Sequence, residues 1–253
     1  MQMILAPSKT MDMTGQLPQG LDTSTPAFYD EVTVLVSHLQ KREDIQKFMK
    51  ISPALAEKVA GMYRHWGEKS APAIYAYVGD VYKGFHAHTL TKEDLVWANK
   101  HMIIMSGLYG VVRPFDAVSL YRLEMKAALP VNGAKDLYEF WDKKLAGYTD
   151  TVADGIICNL ASDEYGRPVT RYAKSRVITP VFLDNKTNGK VGTVPIYSKM
   201  MRGVMARWII DHRIVDPVRL KEFSAQGYSY DKEHSTADQP AFLRSVPSPI
   251  VYR

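Results

Sequence analysis

Five short strand-like segments, set far apart along the chain, constrain the fold more than any other feature of the sequence. They lie at 3–6, 102–105, 156–160, 177–183 and 191–197. Short runs of consecutive apolar residues are typical of strands buried on both faces. The first run stops at Pro7, and a strand this close to a terminus frays unless it is tied into the middle of a sheet. We therefore predict that the first strand is central, and that Asn188-Gly189 forms a tight hairpin turn between the last two.

Segments with helical periodicity separate these strands. Apolar residues recur every three or four positions over 27–40, 45–49, 53–66, 91–99 and 200–212. Ser52 and Pro53 supply a cap and a first-turn proline for the third of these helices. We predict an edge strand plus coil for the tail after Gly227. Because strands and helices alternate without a linker, the sequence predicts a mixed α/β fold in a single compact domain over 1–253.

Composition narrows the class of protein. Apolar residues make up 46% of the chain and charged residues 23%, as in a globular protein with a core, and the net charge of +5 favours polyanionic partners. The one cysteine, Cys158, cannot form an internal disulfide and is typical of a reducing compartment. No signal peptide and no apolar run of membrane-spanning length is recognisable, so we expect a cytoplasmic protein that does not contact membranes.

Polar and glycine-rich clusters follow several of the predicted strands. In open α/β sheets ligands bind just outside the strand ends, so the clusters together predict one cleft, although each alone is also a good turn former. The clusters are 7–10 (PSKT), 79–82 (GDVY), 106–110 (SGLYG) and 159–165 (NLASDEY).

Two catalytic motifs are excluded by residue order. Ser8-Lys9-Thr10 lacks the preceding glycines of a phosphate-binding loop. The 106–110 segment lacks the order of a nucleophile elbow. Its glycines are better explained by close approach of the backbone to a ligand, or by a positive φ.

Several basic side chains and one histidine pair are further candidates for ligand or metal binding. Arg113 and Arg122 suit phosphate, but an internal ion pair with Asp116 or Glu124 is an equal alternative. Lys199 and Arg202 fall on one predicted helix, where they form either a polyanion-binding turn or a solvated basic face. Two histidines, at 86 and 88, would share a face of an extended segment, but no third ligand lies nearby. We expect no metal site and no cofactor.

Long stretches of the chain resemble the YaaA family of peroxide-stress proteins. The similarity covers nearly the whole sequence and keeps the motifs in order. The matching stretches are 7–10, 79–84, 106–125 (SGLYGVVRPFDAVSLYRLEM), 135–141 (KDLYEFW), 159–165, 180–184 and 202–205.

The resemblance implies a function and a fold. It implies a DNA-binding protein that protects against oxidative DNA damage during hydrogen-peroxide stress and is associated with limiting free iron. It also implies a compact cantaloupe-like fold with a basic cleft and a helix-hairpin-helix element, which maps to about 44–66. The usual glycines of that hairpin are replaced by Ile51-Ser52-Pro53-Ala54, and Pro53 has no amide to donate. Phosphate binding there would depend on the helix amino terminus and on Lys50 and Lys58.

These arguments give two alternatives for the site. In the first, phosphates of double-stranded DNA are bound by Ser8, Lys9, Thr10, Lys50, Lys58, Tyr109, Arg113, Tyr121, Arg122, Lys199 and Arg202. In the second, an enzyme acts on a nucleobase or nucleotide-like small molecule with buried acid, base or amine groups. Its candidate catalytic residues are Lys9, Asp80, Glu124 and Glu164. A deep pocket with Lys9 against Asp80 or Glu164 favours the enzyme, and a long shallow groove favours binding.

Overall fold

The first strand lies at the centre of the main sheet in the computed structural model, which describes residues 1–185 and 189–245. Fourteen strands occur in these ranges: β1 (Gln2–Leu5), β2 (Thr10–Met11), β3 (Ala71–Pro72), β4 (Tyr77–Val78), β5 (Met102–Ser106), β6 (Gly110–Val112), β7 (Ala117–Val118), β8 (Ile156–Leu160), β9 (Arg176–Ile178), β10 (Val181–Asn185), β11 (Val191–Gly192), β12 (Ser224–Ala225), β13 (Tyr228–Asp231) and β14 (Ala241–Arg244). Ten α-helices accompany them: α1 (Tyr29–Gln40), α2 (Ile45–Met49), α3 (Pro53–Arg64), α4 (Ala73–Ala76), α5 (Asp80–Phe85), α6 (Lys92–His101), α7 (Leu137–Trp141), α8 (Lys144–Val152), α9 (Asp163–Thr170) and α10 (Pro195–Asp211).

The main sheet has the strand order β6-β5-β1-β8-β9, and all of its pairs are parallel except β5 with β6. Both neighbours of β1 are hydrogen-bonded to it, and its apolar residues Met3, Ile4 and Leu5 are completely buried. This confirms the mixed α/β class and the central position of the first strand. Parallel order also brings the carboxyl ends of β5, β1 and β8 to one edge of the sheet.

The fourth predicted strand, 177–183, is wrong as a single element. The strand is interrupted at Thr179-Pro180. The residues before the interruption form β9 in the main sheet, and those after it form β10 in a second sheet of order β11-β10-β14-β13-β12. The cause is Pro180, which lacks the amide hydrogen needed to continue a ladder. Val181 resumes pairing by donating its amide to the carbonyl of Pro240 at 3.0 Å.

Two further predictions in this region need correction. The fifth strand ends at Gly192 instead of 197, because Pro195 occupies the first turn of α10. Within 228–245, the tail supplies two interior strands, β13 and β14, instead of the predicted edge strand. β10 and β11 are antiparallel, as a hairpin requires. Asn188, the first residue of the predicted Asn188-Gly189 turn, lies outside the described residues, so the turn itself stays a prediction.

The predicted helices are confirmed, with ends shifted by a few residues. Thr91 forms a capping box with Asp94, in which each side chain accepts the other residue's backbone amide. Ser52 caps α3, with Pro53 in its first turn. A 3₁₀ turn, Pro217–Glu222, follows α10.

Helices α5 and α10 cross at very short range because each has a glycine at the contact. A Cβ added to Gly203 would collide with the carbonyl oxygen of Val81, and one added to Gly84 would lie 2.5 Å from the carbonyl oxygen of Met200. The crossing joins the helix after β4 to the helix that connects β11 with β12 of the second sheet. Buried apolar side chains of both sheets form one contiguous cluster around it.

We predict that Gly203→Ala destabilises the protein by about 1–3 kcal/mol, because the helices must separate to admit one methyl group. The matched control is Gly61→Ala on α3, where an added Cβ meets nothing within 4 Å. That change should stabilise by about 0.5–1 kcal/mol, since alanine is the better helix former. Thermal or denaturant unfolding measures both variants, and equal effects would show that the crossing tolerates a side chain.

Candidate functional site

Three of the four predicted clusters meet at the carboxyl edge of the main sheet. They follow β1, β5 and β8, which are neighbours in the sheet. The fourth cluster follows β4, which pairs with β2 outside this sheet. It still reaches the first cluster, because the Ser8 hydroxyl donates to the carbonyl of Val78 at 2.5 Å. A Cβ on Gly79 would lie only 2.5 Å from the Ser8 Oγ, so glycine is required for this approach.

A chain of alternating charges lies at this edge. Lys9 Nζ is 2.6 Å from Glu124 Oε1, and Lys126 Nζ is 3.2 Å from Glu124 Oε2 and 3.7 Å from Glu164 Oε2. Arg122 completes the group, with a guanidinium nitrogen 3.9 Å from Glu124 Oε1. We call Lys9, Arg122, Glu124, Lys126 and Glu164 the charged cluster. Its three cations and two carboxylates leave one net positive charge.

The members of the charged cluster are not buried as expected. The Lys9 side chain is 56% exposed, and those of Glu124 and Glu164 are 23% and 24% exposed. Lys9 pairs with Glu124, and not with Asp80 or Glu164, the two carboxylates expected opposite it in an enzyme. Asp80 instead lies 3.8 Å from Lys83 at the start of α5. These groups are therefore accessible from solvent.

Glu124 is held in its charged form. Partial burial raises the pKa of its carboxyl, but hydrogen bonds and charge attraction from Lys9 and Lys126 outweigh this and lower it below the usual value. The same contacts raise the pKa of Lys126. Glu124 and Lys126 therefore both stay ionised near neutral pH, and the Glu124 carboxylate repels any anion that approaches closely.

The position of Glu124 depends on Gly107. A Cβ at Gly107 would collide with the carbonyl oxygen of Leu123 and would lie 3.0 Å from the backbone carbon of Glu124. This close approach was predicted, but the chain's own 123–124 segment occupies the space that was assigned to a ligand. Gly110 has a φ of +68°, which is the other predicted use of glycine in this turn.

Beneath the charged cluster lies a layer of buried tyrosines. Tyr121 Oη is 2.6 Å from Ser106 Oγ and 2.9 Å from Tyr77 Oη, and Tyr82 donates to the carbonyl of Ala6 at 2.9 Å. Tyr109 Oη accepts the Ser119 amide at 2.9 Å. Burial raises the pKa of Tyr121 to about 12, so its hydroxyl stays protonated. Tyr109 and Tyr121 were predicted to contact phosphate, but only 1% and 5% of their surface is exposed.

The remaining predicted basic residues are dispersed. Arg113 follows β6, which runs antiparallel to β5 and leads away from the sheet edge, and its Nε donates to Tyr148 Oη at 3.0 Å. Lys199 is exposed on α10, and neighbouring Arg202 is partly buried. Burial lowers the pKa of Arg202, and neither residue forms a hydrogen bond or ion pair with any side chain in the described ranges. Both cations therefore keep their charge unneutralised.

The 44–66 segment forms two helices joined by a short turn. α2 ends at Lys50, whose φ of 53° reverses the chain, and the Ser52 hydroxyl accepts the amide of Leu55 at 3.4 Å. No acidic residue lies in the first turn of α3. Tyr63 connects α3 to the charged cluster by donating its hydroxyl to the carbonyl of Arg122 at 2.7 Å. Assignment of this segment as a DNA-binding hairpin stays a prediction.

The two neighbouring histidines, His86 and His88, are arranged differently from the prediction. The histidine pair is not on an extended segment: His86 has a φ of 53°, and His88 lies in a 3₁₀ turn and stacks on Tyr75. Across 1–185 and 189–245, no three His, Cys, Asp or Glu side chains are grouped as metal ligands would be. In the same ranges no helix has the length and apolarity to cross a membrane.

Lys126 is a member of the charged cluster that was not predicted from the sequence. Its only sequence signal is its place two residues after Glu124.

We predict that Tyr121→Phe costs about 1–3 kcal/mol of unfolding free energy, because buried Tyr77 loses the hydroxyl that it faces. Tyr29→Phe is the control, since Tyr29 is 41% exposed and its hydroxyl bonds to no described residue. Its stability should be unchanged within about 0.5 kcal/mol. Denaturant unfolding compares the two, and equal stability of the variants would mean that the hydroxyl network contributes nothing.

Known protein sequences match this chain over almost its full length. The family model described as "Peroxide stress protein YaaA" matches residues 1–234. A UPF0246 protein of Bordetella pertussis is 39% identical, covering 96% of this chain and 99% of the relative. One of Ralstonia nicotianae is 40% identical over 97% of this chain and 100% of the relative, and one of Marinomonas sp. is 38% identical over 96% and 97%. The chain belongs to the YaaA family of peroxide-stress proteins.

Proposed function

We propose that the protein binds duplex DNA through its phosphates during hydrogen-peroxide stress. The observation that carries the proposal is a set of cations that no described carboxylate neutralises. Lys50 and Lys58 are on the α2–α3 segment, and Lys199 and Arg202 are on α10. Unpaired cations gain most from phosphate, since binding releases counterions and breaks no internal ion pair.

The charged cluster contributes differently from these unpaired cations. Lys9 and Lys126 already neutralise Glu124, so a phosphate that approaches them must overcome repulsion from that carboxylate. The net positive charge still favours a contact with the DNA backbone at the rim of the cluster, where the Lys9 side chain is 56% exposed. We therefore assign phosphate binding mainly to α2–α3 and α10, with Lys9 as an additional contact.

DNA binding would account for the protection implied by the family. A protein that covers duplex DNA limits access of iron and peroxide to the sugars and bases beneath it. The associated effect on free iron would then be indirect, through less damage and not through storage. This part of the proposal rests on the family resemblance.

A second candidate function is catalysis on a nucleobase or nucleotide. The observation in its favour is the 2.6 Å contact between Lys9 and Glu124, because an amine and a carboxylate at that distance can exchange a proton. The contact is accessible and lies beside a second carboxylate, Glu164. The exposure of Lys9 favours binding over catalysis, since a catalytic amine is normally desolvated to lower its pKa.

Salt dependence and charge removal test the first function together. We expect log K for duplex DNA to fall linearly with log[salt], with a slope of about −0.9 for each phosphate contact. Replacing both Lys50 and Lys58 by Gln should make the slope shallower by about 2 and weaken binding. Lys232→Gln, an exposed lysine after β13, should change neither. Binding that ignores salt, or no binding at about 50 mM salt, would refute the proposal.

Lys9→Ala separates a ligand contact from a structural ion pair. Exposed ion pairs contribute about 0–1 kcal/mol, so the melting temperature should barely change. DNA affinity should fall about fivefold, which corresponds to about 1 kcal/mol. Early melting with normal DNA affinity would instead make Lys9 a structural residue. Turnover of a nucleoside or nucleotide by the native protein, lost in Lys9→Ala, would favour the enzyme.

A further inference from the structure

A cavity of about 390 Å³ lies between α7 and α9. Its volume is within the range of about 300–1,000 Å³ that is usual for small-molecule sites. No residue predicted from the sequence as part of the site lines this cavity. One wall residue, Tyr138, donates its hydroxyl to the backbone carbonyl of Glu164 at 3.0 Å, so the cavity adjoins the charged cluster.

One wall of the cavity carries two unneutralised arginines. Arg167 and Arg171 are four residues apart on continuous helical backbone, which places them on one face. Neither forms an ion pair with a residue of the described ranges, whereas nearby Arg176 is 2.7 Å from Asp238. Each guanidinium lies 5.3 Å from an aromatic ring, that of Tyr138 or Tyr172. Such contacts orient a guanidinium and leave its charge available.

The opposite wall carries carboxylates that are committed to α7. Asp136 accepts the amide of Glu139 at 2.9 Å, and Glu139 accepts the amide of Lys135 at 2.7 Å. These bonds hold the two carboxylates at the amino end of α7, where the helix dipole also favours them. The arginines and the carboxylates therefore face the same space without pairing with one another.

We propose that this cavity binds the phosphomonoester of a nucleotide. Two adjacent guanidiniums match the geometry of a terminal phosphate. The carboxylates suit the ribose hydroxyl and amino donors, and Tyr172 offers an aromatic surface to the base. The phosphate belongs either to a free nucleoside monophosphate or to the 5′ end of a nucleic-acid strand. The inference does not depend on duplex binding, because different residues are used.

Calorimetric titration of the full chain tests the site with four probes: adenosine 5′-monophosphate, adenosine, inorganic phosphate and a 5′-phosphorylated dinucleotide. We expect saturable binding of the monophosphate, at least tenfold tighter than that of adenosine or of inorganic phosphate. Arg167→Gln and Arg171→Gln should each weaken it at least tenfold. Arg219→Gln, an exposed arginine paired with Glu222, is the control and should leave it unchanged.

The dinucleotide identifies the source of the phosphate. Binding of the monophosphate at least as tight as that of the dinucleotide indicates a free nucleotide, and clearly tighter binding of the dinucleotide indicates a strand end. No saturable binding of either one up to about 10 mM would overturn the proposal, since that is weaker than ordinary metabolite affinities. Equal affinity for adenosine or inorganic phosphate would also overturn it. This comparison uses the native protein, so it decides the question even where an arginine variant fails to fold.

Discussion

The hydrogen bonding of β1 between β5 and β8 is the constraint on which the site depends. Because all three strands are parallel and adjacent, the polar segments that follow them lie at one edge of the sheet. Only four residues long, β1 is stable because it is paired on both sides and covered by helices. Lys9 follows four residues after Leu5, so its backbone starts from a strand that is buried along its whole length. A displacement of β1 would move every member of the charged cluster that it supports.

The basic side chains of this protein serve two physically different purposes. In the charged cluster, cations and carboxylates satisfy one another, and the result is a fixed polar rim above the tyrosine layer. Elsewhere, Arg202, Arg167 and Arg171 are left without carboxylate partners. An anion that binds one of these guanidiniums breaks no internal ion pair, which makes it a better anion site than a paired lysine. Net charge alone does not separate these two groups, since +5 sums over both.

Sequence signals between neighbouring residues predicted much of the fold but little of the candidate site. The apolar run at 3–6 and the Ser52 cap with Pro53 act through neighbouring residues, and both were predictable from the sequence. Non-local partners were not: Glu124 meets Lys9 only because Gly107 lets the 123–124 segment pass across the turn after β5. The 177–183 run shows the same limit. Its composition suits a strand throughout, yet one missing amide at Pro180 sends its two halves to different sheets.

The cysteine chemistry limits how a protein of this family can act against peroxide. The chain has a single thiol, Cys158, which is completely buried in β8, and burial raises its pKa to about 12. Peroxide oxidises the thiolate and not the thiol, and it must also reach the sulfur. Cys158 meets neither condition, so it cannot serve as a peroxide-reducing or peroxide-sensing residue in this fold. The proposed DNA binding through unpaired lysines and arginines needs no reactive thiol, so it is compatible with the burial of Cys158.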